Sequence, residues 1–374
     1  MSTIEAFRAT FPDAPGYLDF ASFGPLSKTV REEILADVEL LGTGRPSSID
    51  HVRARVGEAQ AAVADLLGVT ADEVTLQPST SHGFMHAFYG LEGAVLASSA
   101  EFPSIPTLLT RAADAFGRAT PRWMTPRDGH VTPELVLEHL DDEVQALAVS
   151  TVDSRTGFRV DLRGLREAIG GDRLLIVDDT QGFGAVTSVY DAADVVCGHA
   201  YKWLRAGRGT GFAWFSQRAR DRIRPVVSGH AATEGGLVFD QVPAPVAGSG
   251  AYQVSQPDWL AAGRLAVAAR EVAATGVTEI ERELTARADR VLEIADAHEI
   301  PVITPREPQR RAGIVALAPR PEDVAALGAA LANRGVAFTS RSDLIRIAPH
   351  VGTGEETFGL LDEALADFAQ KRLW

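Results

Sequence analysis

Short runs of continuous apolar residues recur through the first two thirds of the chain. They predict strands at Glu73–Gln77, Ala94–Ser98, Arg122–Met124, Ala146–Val152, Leu174–Asp178, Val195–His199 and Phe212–Phe215. Between them, apolar residues spaced by three and four predict helices over His82–Tyr89, Ile105–Ala115, Pro133–Leu140 and Leu162–Ile169. Upstream, Arg53 to Leu67 has the same helical spacing and stops at Gly68, a natural C-cap. A strand that is apolar at every position must be covered on both faces. The alternation of such strands with helices therefore predicts an α/β fold, a mostly parallel seven-stranded sheet between two helical layers.

Beyond the last of these strands the pattern changes. Gly229 to Pro257 is rich in Gly, Pro and Ala and lacks periodicity, which suits a crossing segment or a subunit contact. Long helices follow at Pro257–Thr275 and Val277–His298. The remaining pieces, Pro301–Ile303, Gly313–Ala318, Glu322–Arg334, Val336–Ser340, Leu344–Ala348 and Glu355–Gln370, read as a small α+β domain. At 374 residues the chain is too long for one ordinary core. The expected division is an N-terminal segment (1–16) packing with the small domain, a large domain (17–250), and a linker helix with the small C-terminal domain (251–374).

In an open sheet of this type, ligands bind beyond the carboxyl ends of the strands. The polar clusters of this chain fall there: Gln77 to Gly83, Ser99 to Ser104, Ser150 to Gly157, Asp178 to Gly184 and His199 to Lys202. Lys202 follows an apolar strand and sits among small, polar and aromatic residues. Asp178 ends the neighbouring strand. An amine able to form a Schiff base, beside a carboxylate able to hold a pyridine nitrogen protonated, is what pyridoxal phosphate requires of a protein. In extended backbone Asp178 and Asp179 point to opposite sides, so only one of them reaches such a ring. Ser79, Thr80 and Ser81 open a helix, where N–H groups and hydroxyls hold phosphate; plain helix capping is the competing reading. His199 and Tyr201 are further phosphate donors, with a structural histidine as the competing reading of His199. Phe102 is placed to stack on a planar ring, or to serve as a core aromatic. Gln181 is a hydrogen-bonding partner for a ring hydroxyl. Arg341 and Arg346 offer guanidinium forks for a substrate carboxylate, or structural ion pairs.

Composition narrows the partners. The net charge of −14 argues against nucleic acid and against anionic membranes. No apolar run has transmembrane length and no basic-then-apolar leader opens the chain, so the cytoplasm is the expected compartment. Cys197 is the only cysteine, which removes a disulfide framework and a cysteine-based zinc site; no metal is expected. No Gly-x-Gly-x-x-Gly follows the first strand, so a nicotinamide enzyme is not indicated. Gly207-Arg208-Gly209-Thr210-Gly211 reads as a turn.

These residues resemble the class V aminotransferase family of fold-type-I pyridoxal-phosphate enzymes, over nearly the whole chain. Tyr17 to Pro25 is similar to the family's opening "YLDNAA-GP" segment, and Glu101-Phe102-Pro103-Ser104 to the place where a ring stacks on the cofactor. Ser150 to Gly157 resembles its "S-x-V-x-x-x-x-G" loop, Val177 to Gln181 its "VD-x-x-Q" motif, His199 to Leu204 its lysine signature, and Ile345 to His350 its "IR-I-x-PH" segment. The resemblance implies that Lys202 bonds the cofactor and that Asp178 meets the ring nitrogen. It puts Gln181, with Ser154 in place of the usual Asn, at the ring hydroxyl, and His199 and Tyr201 at the phosphate. Arg341, helped by Arg346, takes the substrate carboxylate, and Ser22 lines the substrate pocket.

It further implies a homodimer, an amino-acid substrate and chemistry through a Cα carbanion, as in an aminotransferase or a β-eliminating C–S lyase. An epimerase, or a non-catalytic binding or regulatory protein of the same fold, is the alternative. Desulfurases of the family carry an acceptor cysteine on a C-terminal loop. None stands there in this sequence, so a persulfide-forming desulfurase is not expected.

Overall fold

The computed structural model describes residues 3–126, 129–235, 238–341 and 343–371. Seven strands build the main sheet: β1 (Val74–Gln77), β2 (Gly93–Ser98), β3 (Ala119–Met124), β4 (Val144–Ser150), β5 (Leu174–Asp178), β6 (Val195–His199) and β7 (Gly211–Phe215). Their spatial order is β1-β7-β6-β5-β4-β2-β3. Strands β3, β2, β4, β5 and β6 run parallel, whereas β7 is antiparallel to both β1 and β6. The seven expected strands are all present, with ends shifted by a few residues.

The side-chain alternation explains why these strands read as continuous apolar runs. Leu147, Val149, Leu175, Val177 and Val196 face one buried cluster. Their neighbours Ala146, Ala148, Leu174, Ile176 and Val195 face another, against Phe84 and Phe88 of the helix Thr80–Gly90. Covered on both faces, the central strands need no polar side, whereas the edge strand β3 is buried only at its ends.

A third cluster lies among the helices Val277–Ala297, Val324–Asn333 and Glu355–Lys371 and a three-stranded antiparallel sheet. That sheet holds β8 (Val315–Leu317), β9 (Thr339–Ser340) and β10 (Ile345–Ile347) in the order β8-β10-β9. The piece Pro301–Ile303 contributes one bridge, Val302 with Leu317. The expected helix from Arg53 begins as a separate short helix, Pro46–Arg53, and resumes as Arg55–Leu67. Two helices, Thr3–Arg8 and Lys28–Gly42, lie in a stretch for which the apolar pattern predicts none. Within Gly229 to Pro257 the described residues form short turns and a bridge between Thr233 and Pro245. The N-terminal segment lies against the C-terminal elements: Ala337 N–H donates to the Gly16 carbonyl, and the Phe11 ring meets His350 at 4.8 Å.

Candidate active site

Strands β5 and β6 stop side by side, with Asp178 in register with Cys197. The chain leaving β6 turns at once and carries Lys202 back toward the end of β5. Lys202 is 5% exposed. Its Nζ lies 5.7 Å from the Phe102 ring centre and 5.7 Å from that of Tyr201, and it makes no hydrogen bond or salt bridge among the described residues. Burial pushes its amine down to about 7; the guanidinium of Arg346 lowers it further, the Asp178 carboxylate pulls the other way, and Arg208 and Arg341 add to the lowering. A large fraction of the amine is therefore neutral and nucleophilic near neutral pH, which an ordinary lysine is not.

Asp178 is buried, and burial raises its carboxyl, against the Thr180 hydrogen bonds and the charge of Lys202. Only its Oδ1 is engaged by the backbone, accepting Thr180 N–H at 2.9 Å. Asp179 goes the other way, as period-two geometry demands, and its Oδ2 accepts the Tyr190 hydroxyl at 2.6 Å.

The loop around Lys202 is fixed from several sides. Gly24 N–H donates to the Tyr201 carbonyl at 2.9 Å. A Cβ on Gly24 would stand 1.9 Å from the Lys202 carbonyl oxygen, so only glycine permits this approach. His350 Nε2 bonds the Trp203 carbonyl at 2.8 Å while its Nδ1 accepts Val351 N–H; burial, then the Arg205 charge, holds the ring well below the ordinary histidine range and so neutral. Arg205, in the left-handed region at φ 60°, is wholly buried; its guanidinium lies 3.7 Å from the Phe11 ring centre and donates to the Thr10 hydroxyl. Sequence reasoning passed over Gly24 and Arg205, whose roles appear only when the N-terminal segment folds across the lysine loop. The Trp203 indole donates to Gln181 Oε1 at 3.0 Å, and Gln181 Nε2 donates to the Ala21 carbonyl at 3.0 Å. One Nε2 hydrogen of Gln181 remains for another acceptor.

At the start of the helix Thr80–Gly90, Ser79 makes no capping bond; its hydroxyl pairs with His82 Nδ1 at 2.9 Å. The first-turn N–H groups thus stay without a side-chain cap, which is the condition under which a helix start binds an anion. Thr80 bonds Thr180 at 2.8 Å and Ser81 bonds Ser104 at 3.0 Å, both through hydroxyls. His199 is buried, with Nδ1 lacking any hydrogen-bond partner. Burial, then the Lys202 charge, pushes it down to about 3, so it is a neutral ring. Its ring lies 3.8 Å from that of Tyr201, and Arg208 stands over Tyr201 at 4.5 Å. The expected turn at Gly207–Gly211 is present, and it places Arg208 at the site, a role its glycine-rich context concealed.

On the opposite wall, Arg346 is buried and heavily committed. It donates to the Ser154 carbonyl (2.8 Å), the Ser22 hydroxyl and Thr339 Oγ1 (3.1 Å), with Asp19 at 3.6 Å. Its Nε has no partner, nor has Nε of the half-buried Arg341. Phe102 is 40% exposed. Lys202, Asp178, Phe102, His199, Tyr201 and Arg346 therefore surround one space. The residues fit pyridoxal phosphate: a buried amine without a hydrogen bond among the described residues, a buried carboxylate beside it, a half-exposed aromatic ring and a helix start without a side-chain cap.

The comparisons agree with this geometry. Residues 44–343 match the family model for aminotransferase class-V. A kynureninase of Deinococcus radiodurans is 27% identical over 325 residues, which is 80% of this chain and 77% of that protein. A cysteine desulfurase of Thermococcus onnurineus NA1 superposes with a TM-score of 0.84 at 20% identity, covering 97% of this chain and 98% of that one. The cystine C–S lyase C-DES, solved with its product cysteine persulfide, superposes with a TM-score of 0.85 at 19% identity, covering 96% and 98%. The chain belongs to the class V aminotransferase family, and its fold is that of a pyridoxal-phosphate enzyme of the transferase and lyase type.

Proposed function

We propose that this enzyme acts on an amino acid at Cα and that Lys202 is both the residue that bonds the cofactor and the acid–base at that carbon. The observation that carries the reading is the Lys202 amine, buried, without a partner and pushed down to about 7. Pyridoxal phosphate, when bound, supplies an electron-withdrawing ring conjugated to Cα. The chain's residues do the rest. Asp178 holds the proton on the ring nitrogen. Ser154 and Gln181 meet the ring hydroxyl, and Phe102 covers one ring face. Ser79, Thr80, Ser81, His199 and Tyr201 receive the phosphate. With the cofactor bound, Lys202 would be placed to take the Cα proton and to return it, because an amine near 7 works in both directions at neutral pH. Arg341, whose Nε has no hydrogen-bond partner among the described residues, orients the substrate carboxylate; Arg346 and Ser22, bonded to each other, form the wall beside it.

The lyase branch is favoured over persulfide transfer. Cys197 is fully buried on β6, burial raises its thiol well above the ordinary value, and its sulfur packs against Gly83. It has no path to a substrate sulfur. The reading includes a homodimer working in the cytoplasm. The test is spectroscopic. Purified protein loaded with pyridoxal phosphate should show a near-visible band that K202A lacks. Mixing with a panel of amino acids should shift the band for substrates, and mass spectrometry should find an eliminated product or a keto acid. A band that survives K202A, or a wild type that takes up no cofactor, refutes the assignment.

A further inference from the structure

The residue just before Phe102 carries a carboxylate that neither the chemistry above nor the motif reading uses. β2 ends at Ser98, and its last pairing with β4 is Ala97 with Ala148. β4 runs on to Ser150 without a β2 neighbour. Glu101 fills that gap: Oε1 accepts Ser150 N–H at 3.1 Å and Oε2 accepts the Ser150 hydroxyl. On its other edge Ser150 is in register with Asp178, and Thr151 N–H donates to the Asp178 carbonyl at 2.9 Å. Glu101 therefore ties the stacking residue to the strand end that abuts Asp178.

Phe102 needs such a tie. Its ring is 40% exposed, so surrounding side chains do not pack it into place. Its setting comes from its backbone, held on one side by Glu101 and on the other by Ser104, whose hydroxyl meets Ser81 at 3.0 Å. Glu101 is half-buried as a residue, and its carboxylate is enclosed. Burial pushes that carboxyl up to about 7, Ser150 pulls it down, and Asp178 and Asp153 add to the raising. A carboxylate enclosed beside two others is a costly way to close one strand end, which argues for a role that its two-point grip on Ser150 supplies.

We propose that Glu101 is a positioning residue: by clamping Ser150 it sets the Phe102 ring over the space in front of Lys202 where the cofactor ring is held. This rests on the reading of Phe102 as the stacking residue. The test is a double-mutant cycle on pyridoxal-phosphate dissociation, measured by absorbance titration of the wild type, E101A, E101Q, F102L, E101A/F102L and E101Q/F102L, with melting curves to confirm folding. F102L should weaken binding about tenfold, as loss of one ring-stacking contact does. E101A should weaken it by a similar factor. E101Q, which keeps an acceptor for Ser150 N–H, should weaken it about threefold. In the F102L background both Glu101 changes should lose their effect. Additive losses overturn the proposal, because Glu101 would then act without Phe102. If E101A does not fold, the E101Q arm decides on the same criterion. A wild type that binds no pyridoxal phosphate overturns the cofactor reading itself, whereas a failed cycle in a protein that binds it overturns only this inference.

Discussion

Replacing Lys202 with methionine should make the cofactor-free protein more stable. The amine is buried and without a hydrogen bond among the described residues, and its drop from 10.5 to about 7 is dominated by burial. That drop corresponds to roughly 5 kcal/mol against the charged form in the folded state, at about 1.4 kcal/mol per tenfold. In the unfolded chain the amine stays charged to about pH 10.4. Below pH 7 it is charged in both states and the full penalty applies. Between about 7 and 10.5 the folded protein sheds the proton while the unfolded chain keeps it, and the penalty fades. Methionine fills a similar volume without a charge. The attraction of Asp178 is already contained in that drop; replacing a buried charge by an apolar residue of similar volume yields about 1–4 kcal/mol, the gain expected here. Urea unfolding of cofactor-free wild type and K202M, followed by circular dichroism from about pH 6 to about pH 10, measures this. The K202M advantage should be largest at and below pH 7 and shrink toward pH 10 as wild-type stability climbs. A variant less stable than wild type at pH 7, or an advantage that does not shrink, refutes the argument. Added pyridoxal phosphate should then reverse the order, stabilising wild type and not the variant.

Four further outcomes follow from the same geometry. Asp178→Asn should keep cofactor uptake but lose turnover by about a hundredfold or more, whereas Asp179→Asn should leave the cofactor spectrum unchanged and cost about 1–3 kcal/mol of stability through Tyr190, read by urea melts. Gly24→Ala should cost about 3 kcal/mol or displace the lysine loop, because its Cβ would overlap the Lys202 carbonyl; unchanged cofactor affinity and melting would contradict this. His199, pushed down to about 3, should stay neutral across the range in which free histidine titrates. The imidazole resonances of His199 should therefore not move near pH 6.5, even where cofactor uptake changes as Lys202 titrates near 7. Cys197→Ala should preserve both the cofactor band and turnover, and loss of turnover would restore a catalytic thiol.

The strands and their neighbours were legible in the sequence because both faces of the sheet are buried. Leu174 to Val177 had no alternative to being a covered strand, and Asp178 and Lys202 followed as the polar residues at two adjacent strand ends. The helix Lys28–Gly42 was not legible. Its buried residues are only Val30 and Asp37, so it carries too narrow an apolar stripe to announce itself. The Gln181 amide is another case. Its type suggested a partner for a ring hydroxyl, yet two of its bonds go to Trp203 and Ala21, groups far away in sequence.

What the sequence determined alone is the local alternation of strands and helices and the residue types at the strand ends. Apolar periodicity is a short-range property, and the link from a strand to the loop that follows it is covalent. Only the tertiary structure decided how those ends are wired together. Gly24 against the lysine loop, Glu101 on Ser150 and Arg346 on Ser22 join residues from separate elements, whose register is set by packing of the whole. The lowered basicity of Lys202 belongs to the same class: burial creates it, helped by Arg341 and Arg346 from the far end of the chain and by Arg208 of its own loop.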